Sequence, residues 1–365
     1  MLKTENHIIR AVWRKMLNLE LPKPFPQMTY MQAMSEYGSD KPDLRIPIKP
    51  FSRIDHVLPA NLIGMITSLK DPIIDAMLVP FETSAAETRK FVTQFLNSSD
   101  GKLFLEEEDG SPGIFIYGSG TPLQGLSAFG FEAAQKMEEQ FALQDGNLLI
   151  LQARKNELLA GGSTTLGHLR NALYRAAVQD GLLPTPSWDD FKPLWITDFP
   201  LFSPSKDSEP GQGGKAGLAS THHPFTSPKT PEDVDMLCTD PTKAIANHYD
   251  LVINGEEIGG GSQRIHHAKM QEFVFREVLQ MDDERVSEFS HLLEALRAGC
   301  PPHSGIALGF DRLVAMIASC KYKTKLSMRD VIAFPKSGKG EDLMINSPGP
   351  MSEETLRTYH LQLRE

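Results

Sequence analysis

The residues with chemical potential concentrate in YDLVINGEEIGGGSQRIHH, residues 249–267, which places two carboxylates, three consecutive glycines and an arginine-histidine group in one short span. Asn254-Gly255 between strand-like runs is a two-residue hairpin signal, because both positions tolerate positive φ. The expected hairpin sets Val252 opposite Glu257 and Asp250 opposite Gly259, leaving Asp250 and Glu257 diagonally adjacent on one face. Carboxylates that close repel unless a shared divalent cation neutralises them or one is protonated. A solvated hairpin with scattered acids is the alternative. The glycines argue against it, since three in a strand weaken it unless a backbone or ligand lies close, and a flat, planar ligand suits such a floor. Arg264 follows Glu257 by seven residues, so strict alternation puts it on the opposite face. It joins the acids only if the glycine run contains a bulge.

Two further groups are candidates. His222 and His223, in THHPFTSP, follow a stretch rich in Gly, Ser and Pro and precede a rigid Pro-Phe, which suits a mobile segment closing over a ligand. They can equally be structural surface histidines. In GIALGFDRLVAM, small residues let a strand pass beneath a ligand while Arg312 opens a helix that Leu313, Val314 and Ile317 bury. Its guanidinium can grip phosphate, or it is simply a surface base on a core helix. No HExxH pattern or spaced His/Cys set supports zinc, and nucleophile-elbow and P-loop patterns are absent.

The elements that must position these groups are legible from periodicity. Ile8, Ile9, Val12, Trp13, Met16 and Leu17 recur at helical spacing, predicting a packed helix at the start. YGSDKPDLRIP, residues 37–47, is dense in turn formers. Residues 50–160 mix strand-like GIFIYG and NLLILQA with helical AAETRKFVTQFLN, an α+β module. TLGHLRNALYRAAVQDG predicts a helix burying Leu166, Leu169, Leu173 and Ala177, stopped by Gly181 and leading back to the main domain. PLWITDFPLF reads as one buried strand, and SPSKDSEPGQGGKAGLAST as a mobile loop. HYDLVING predicts a strand, MQEFVFREVLQM and VSEFSHLLEALRAG two amphipathic helices, and SGIALGFDRLVAMIAS a strand entering a helix.

At 365 residues the chain is long enough for two domains. Hydrophobic residues at 40% and charged residues at 23% are ordinary globular values, and no apolar run approaches the roughly 18 residues of a membrane span, so no membrane partner is expected. A net charge of -10 gives no global reason to bind nucleic acid, so such contact needs a local basic patch. Cys238, Cys300 and Cys320 are odd in number and far apart, which fits a reducing compartment rather than a disulfide framework.

In order and spacing, WITDFPLF, HHPFTSP, YDLVINGEEIGGGSQRIH, GIALGFDRL and RDVIAFPKS resemble the C-terminal half of the catalytic domain of class II aspartyl-tRNA synthetases, bacterial or mitochondrial type. GIALGFDRL is similar to the third class-defining motif, and FPQMTYMQAMSEYGSDKPDLR to the piece before the family's insertion domain. The resemblance implies an α+β fold: part of an antiparallel class II sheet with flanking helices, formed by residues 1–49 and 161–365, interrupted by an α+β insertion at 50–160. It implies that Arg264 binds the aspartate side chain, with His222, His223 or both on the amino-acid substrate. Asp250 and Glu257 would hold Mg2+ against ATP phosphates. Gly309, Phe310, Asp311 and Arg312 would hold ATP together with Glu257, Arg312 and Glu257 being the catalytic pair. The implied activity is aspartate-tRNA ligation, with ATP, L-aspartate and the 3′ acceptor end of tRNA-Asp as partners. The first motif, which builds the family's homodimer, the second motif and the anticodon-binding domain have no match, so the chain alone is expected to be inactive. A non-catalytic, synthetase-derived binding or regulatory protein is the alternative. The long linker and unfamiliar insertion point to the mitochondrial matrix, with a bacterial cytoplasm as the other possibility.

Overall fold

The computed structural model describes residues 2–105, 109–205 and 214–362, with side chains from residue 4 onward. Its strands, in chain order, are β1 (Gln27–Thr29), β2 (Ser52–Arg53), β3 (Ile73–Val79), β4 (Gly113–Ile116), β5 (Leu148–Arg154), β6 (Pro193–Thr197), β7 (Phe202–Pro204), β8 (Leu218–Ser220), β9 (His248–Ile253), β10 (Glu256–Gln263) and β11 (Ser304–Leu308). They form an α+β fold with a five-stranded sheet, β1-β6-β9-β10-β11, a four-stranded sheet, β2-β3-β5-β4, and the ribbon β7-β8. The larger sheet is antiparallel except at its β1-β6 edge, where Gln27 to Thr29 run parallel to Trp195 to Thr197. No helix among the described residues is long and apolar enough to cross a membrane.

Period-two alternation explains the smaller sheet. Met77, Val79, Leu148 and Ile150 face one side, with Phe91 and Phe95 of the Ala85–Asn97 helix and Leu166, Leu169, Leu173 and Ala177 of the Thr165–Gln179 helix. Ile74, Ala76, Leu78, Leu149, Leu151 and Ala153 face the other, with Leu62, Ile66, Ala134 and Met137. The apolar stripe of the 165–179 helix is thus the expected one, and its partner is the smaller sheet. Gly181, at φ 73°, follows its end.

The larger sheet buries one face over β6, β9 and the start of β10, while Leu308 on edge strand β11 stays 37% exposed. Trp195, Tyr249, Leu251, Ile253 and Ile258 pack with Ile9 and Trp13 of the Leu2–Leu17 helix and with Leu313 and Cys320 of the Phe310–Tyr322 helix. Trp195 Nε1 also donates to Asn6 Oδ1 at 2.8 Å. Ile8 and Met16, expected on the packed side, are instead 47% and 60% exposed. A sheet surface is covered by a stripe narrower than all six apolar positions. The opposite face carries Leu194, Ile196 and Val252 in a core with Tyr30, Phe199 and Phe275, and then turns polar at His248, Asp250 and Ser262.

Other expectations need correction. The run at 193–202 is two strands, not one, separated where Asp198 adopts φ 59°. The ends of the expected loop at 203–221 pair as the β7-β8 ribbon, with Phe202 opposite Ser220, while residues 206–213 lie outside the described residues. The helix expected over MQEFVFREVLQM runs from Ala268 to Phe273 and then widens into a π-turn at Val274–Val278. VSEFSHLLEALRAG is broken into Asp283–Ser287 and Ser290–Ala298.

Candidate active site

The hairpin forms where turn chemistry predicts it. Asn254 and Gly255 take φ 55° and 83°, Glu256 pairs with Ile253, and Glu257 with Val252. The register then shifts between Glu257 and Gly259, so Asp250 faces Gly260 rather than the expected Gly259. The bulged residue is Ile258, which is buried in the apolar core behind the sheet. The expected bulge therefore exists, but it precedes the glycine run instead of lying within it. With Ile258 as the extra residue, Glu257, Gly260, Ser262 and Arg264 fall on one face.

Gly260 is the floor of that face. A methyl group there would sit 2.5 Å from Asp250 Oδ1 and 3.3 Å from Glu257 Oε1, so both carboxylates converge on bare backbone. Gly259 and Gly261 serve the neighbouring strand instead. An added methyl on Gly261 would meet Gly305 O at 2.1 Å, and one on Gly259 would meet Ala307 O at 2.7 Å. These two glycines permit close approach of β11.

Asp250 is deeply buried among histidines. His248 Nε2 lies 2.8 Å from its Oδ1 and His222 Nε2 lies 3.7 Å from its Oδ2. The two imidazoles stack, with centroids 3.5 Å apart and planes 20° apart. Burial by itself would raise the Asp250 carboxyl, but its interactions with His222 and His248 outweigh that and hold it down at about 2. Burial lowers His248 despite that partner. Period-two alternation from Asp250 points to His248, a signal the motif reading passed over.

Glu257 is approached from two directions. Arg312 Nη1 donates to its main-chain carbonyl. Lys41 Nζ lies 3.7 Å from its Oε2 and 2.9 Å from Asp40 Oδ2. Lys41 had no local signal beyond its turn. That turn is fixed from afar: Thr164 N and Ser163 Oγ donate to Gly38 O, Asp40 N donates to Gly162 O, and buried Arg170 donates to Asp43 O at 3.2 Å. Lys41, Glu257 and Arg312 line a cleft of about 680 Å³. Gly309 and Phe310 begin the Phe310–Tyr322 helix, with Phe310 75% exposed and Asp311 exposed in its first turn.

Arg264 and His223 form a second group. Arg264 Nη1 is 3.0 Å from His223 Nδ1, and the chain around each is stitched together, Ile265 N donating to Phe225 O and Ser227 N to Gln263 O at 2.9 Å. Burial first, and the Arg264 charge second, push His223 down to about 4. It is a neutral ring at pH 7. Arg264 also lines a 500 Å³ pocket with Phe225, Gln271, Phe289 and His303.

Residues 1–338 match the family described as tRNA synthetases class II (D, K and N). The chain belongs to this family. A mitochondrial aspartate–tRNA ligase of Schizosaccharomyces pombe is 35% identical over 359 residues, covering 94% of this chain and 52% of that protein. This class II synthetase chain therefore spans about half the length of that curated relative. Among solved structures, an aspartyl-tRNA synthetase from Entamoeba histolytica is 14% identical with a TM-score of 0.29, over 93% of this chain and 59% of that one. The asparaginyl-tRNA synthetase of the same organism is 13% identical with a TM-score of 0.30, over 93% and 67%. Within this synthetase chain, three groups of the residues named from the sequence come together: Asp250 with His222, Glu257 with Arg312, and His223 with Arg264, while Phe310 and Asp311 stay exposed at the start of their helix.

Proposed function

We propose that the chain forms the substrate-side half of an aspartate–tRNA ligase site, which activates L-aspartate with ATP and passes it to the 3′ end of tRNA-Asp. The observation that carries this is the convergence of Asp250 and Glu257 over Gly260, with Arg312 tied to Glu257 and Arg264 farther along the same face. Two oxygen donors above bare backbone fit Mg2+, which takes one or two carboxylates and fills its other positions with water and phosphate oxygens. When bound, it neutralises charge on the ATP phosphates.

The reaction asks little covalent chemistry of the protein. An aspartate carboxylate oxygen attacks the α-phosphorus, the bond from the α-phosphorus to the α-β bridging oxygen breaks, and pyrophosphate leaves; the tRNA hydroxyl then displaces AMP from the acyl carbon. Arg312 holds terminal phosphate charge and, through the Glu257 carbonyl, fixes the strand beneath it. Lys41 sits beside Glu257 as a further cation for phosphate. Arg264 pairs with the aspartate side chain, and a neutral asparagine amide would leave that guanidinium unpaired, which is the basis of discrimination. His223 occupies Arg264 until substrate arrives, and its loop carries His222 over the amino acid. Dimer formation in the complete ligase and residence in the mitochondrial matrix belong to the same proposal, the latter supported by the mitochondrial relative.

The test is calorimetric binding of a non-hydrolysable aspartyl-adenylate analogue against its asparaginyl counterpart. At least tenfold preference for the aspartyl form, lost in Arg264→Leu, is expected. Equal binding of the two analogues would overturn the reading.

A further inference from the structure

The geometry points to a second ion site on the same face: His222, His248 and Asp250 form a three-ligand site for Zn2+, distinct in chemistry from the oxygen-ligated Mg2+ site. One ligand atom from each lies within 4.8 Å of the others. His248 and Asp250 are both buried, and His222 is partly so. Two imidazole nitrogens and a carboxylate are the donor set of many zinc centres, whereas Mg2+ takes oxygen.

Three observations favour an ion over a simple hydrogen-bonded network. The 3.7 Å from His222 Nε2 to Asp250 Oδ2 is too long for a hydrogen bond, yet close to the roughly 3.3 Å between neighbouring ligands on a tetrahedral zinc with bonds near 2 Å. Stacked imidazoles 3.5 Å apart cannot both carry a proton without strong repulsion, and the neutral ring is the metal-binding form. Among the described residues, buried His248 Nδ1 and the buried hydroxyl of its cross-strand neighbour Ser262 have no hydrogen-bond partner, so the His248 Nε2–Asp250 Oδ1 contact at 2.8 Å uses up only part of the polarity gathered here. A fourth position remains for water or substrate.

The ion would draw Asp250 away from Mg2+ and fasten His222, and with it the histidine segment, to the sheet. That inhibitory consequence rests on the function proposed above, while zinc binding itself does not.

The experiment titrates Zn2+ alone into the metal-free protein against a chromophoric chelator, with Co2+ as a spectroscopic substitute. One equivalent is expected, with the visible absorption of a low-coordinate Co2+ centre. Affinity should fall at least tenfold in both His248→Ala and His222→Ala. Since His248 is buried, far-ultraviolet circular dichroism checks its variant, and the less buried His222 supplies the result if His248→Ala does not fold. Cys300 and His303, with Sγ 3.4 Å from Nδ1, form a competing surface pair, so Cys300→Ser must retain the equivalent. Absence of bound Zn2+, affinity unchanged in His222→Ala, or loss only in Cys300→Ser overturns the proposal. Because the readout is binding, a protein inactive toward aspartate can still pass it.

Discussion

Arg312 Nη1 donates a hydrogen bond to the main-chain carbonyl of Glu257, joining the helix after β11 to the strand that carries one of the two site acids. A guanidinium can make this contact and still turn other N–H groups toward phosphate.

Replacing Arg312 by Ala removes both contacts. A hydrogen bond to a charged group is worth about 2 kcal/mol, so Mg2+-ATP affinity should fall roughly thirtyfold. Arg312→Lys should recover only part of it, because an ammonium lacks the fork geometry. Calorimetric titration with ATP measures both. Unchanged ATP affinity in Arg312→Ala would remove Arg312 from the phosphate site.

The glycine run makes a contrast between neighbours. In Gly260→Ala the new methyl pushes on two carboxylate side chains, so Mg2+ affinity should drop at least tenfold with little loss of thermal stability. In Gly261→Ala the methyl meets the Gly305 carbonyl, a backbone atom that cannot step aside. Overpacking of this kind costs about 1–3 kcal/mol, visible as a lower denaturation midpoint. Equal stability of the two variants would contradict this division between ligand floor and strand contact.

Acid should weaken the fold through His223. Its folded form is pushed down to about 4 from 6.5, so between those values the unfolded chain binds more protons. Stability is therefore complete above about pH 6.5 and is lost as pH falls toward about 4. Urea midpoints should drop between about pH 7.5 and about pH 5. His223→Gln should remove about 1 kcal/mol of that drop, a value reduced for the partial exposure of the ring. His248, lowered in the same direction, accounts for a remainder.

The back of the sheet depends on Trp13, fully buried and edge-on to Phe191 at 5.3 Å. Trp13→Ala should cost about 3–5 kcal/mol, measured by urea unfolding. Met16→Ala, one turn along but exposed, should change stability by less than about 0.5 kcal/mol.

By itself the sequence determined what depends on near neighbours. The Asn254-Gly255 turn follows from two residues that accept positive φ, and the 165–179 stripe follows from the 3.6-residue period. The class motifs identified the family and named Asp250, Glu257, Arg264 and Arg312 as a set. Tertiary structure decided what depends on partners distant along the chain. Strict alternation alone left Arg264 across the sheet from the acids. The bulge at Ile258 moved it, because an extra residue could drop into the apolar layer built by Ile9, Trp13 and Leu313. Lys41 reaches Glu257 only because the 165–179 helix holds its turn. His222 reaches His248 only because a loop folds across β9. Side-chain period is local, but which residue faces which is set by the surfaces that pack.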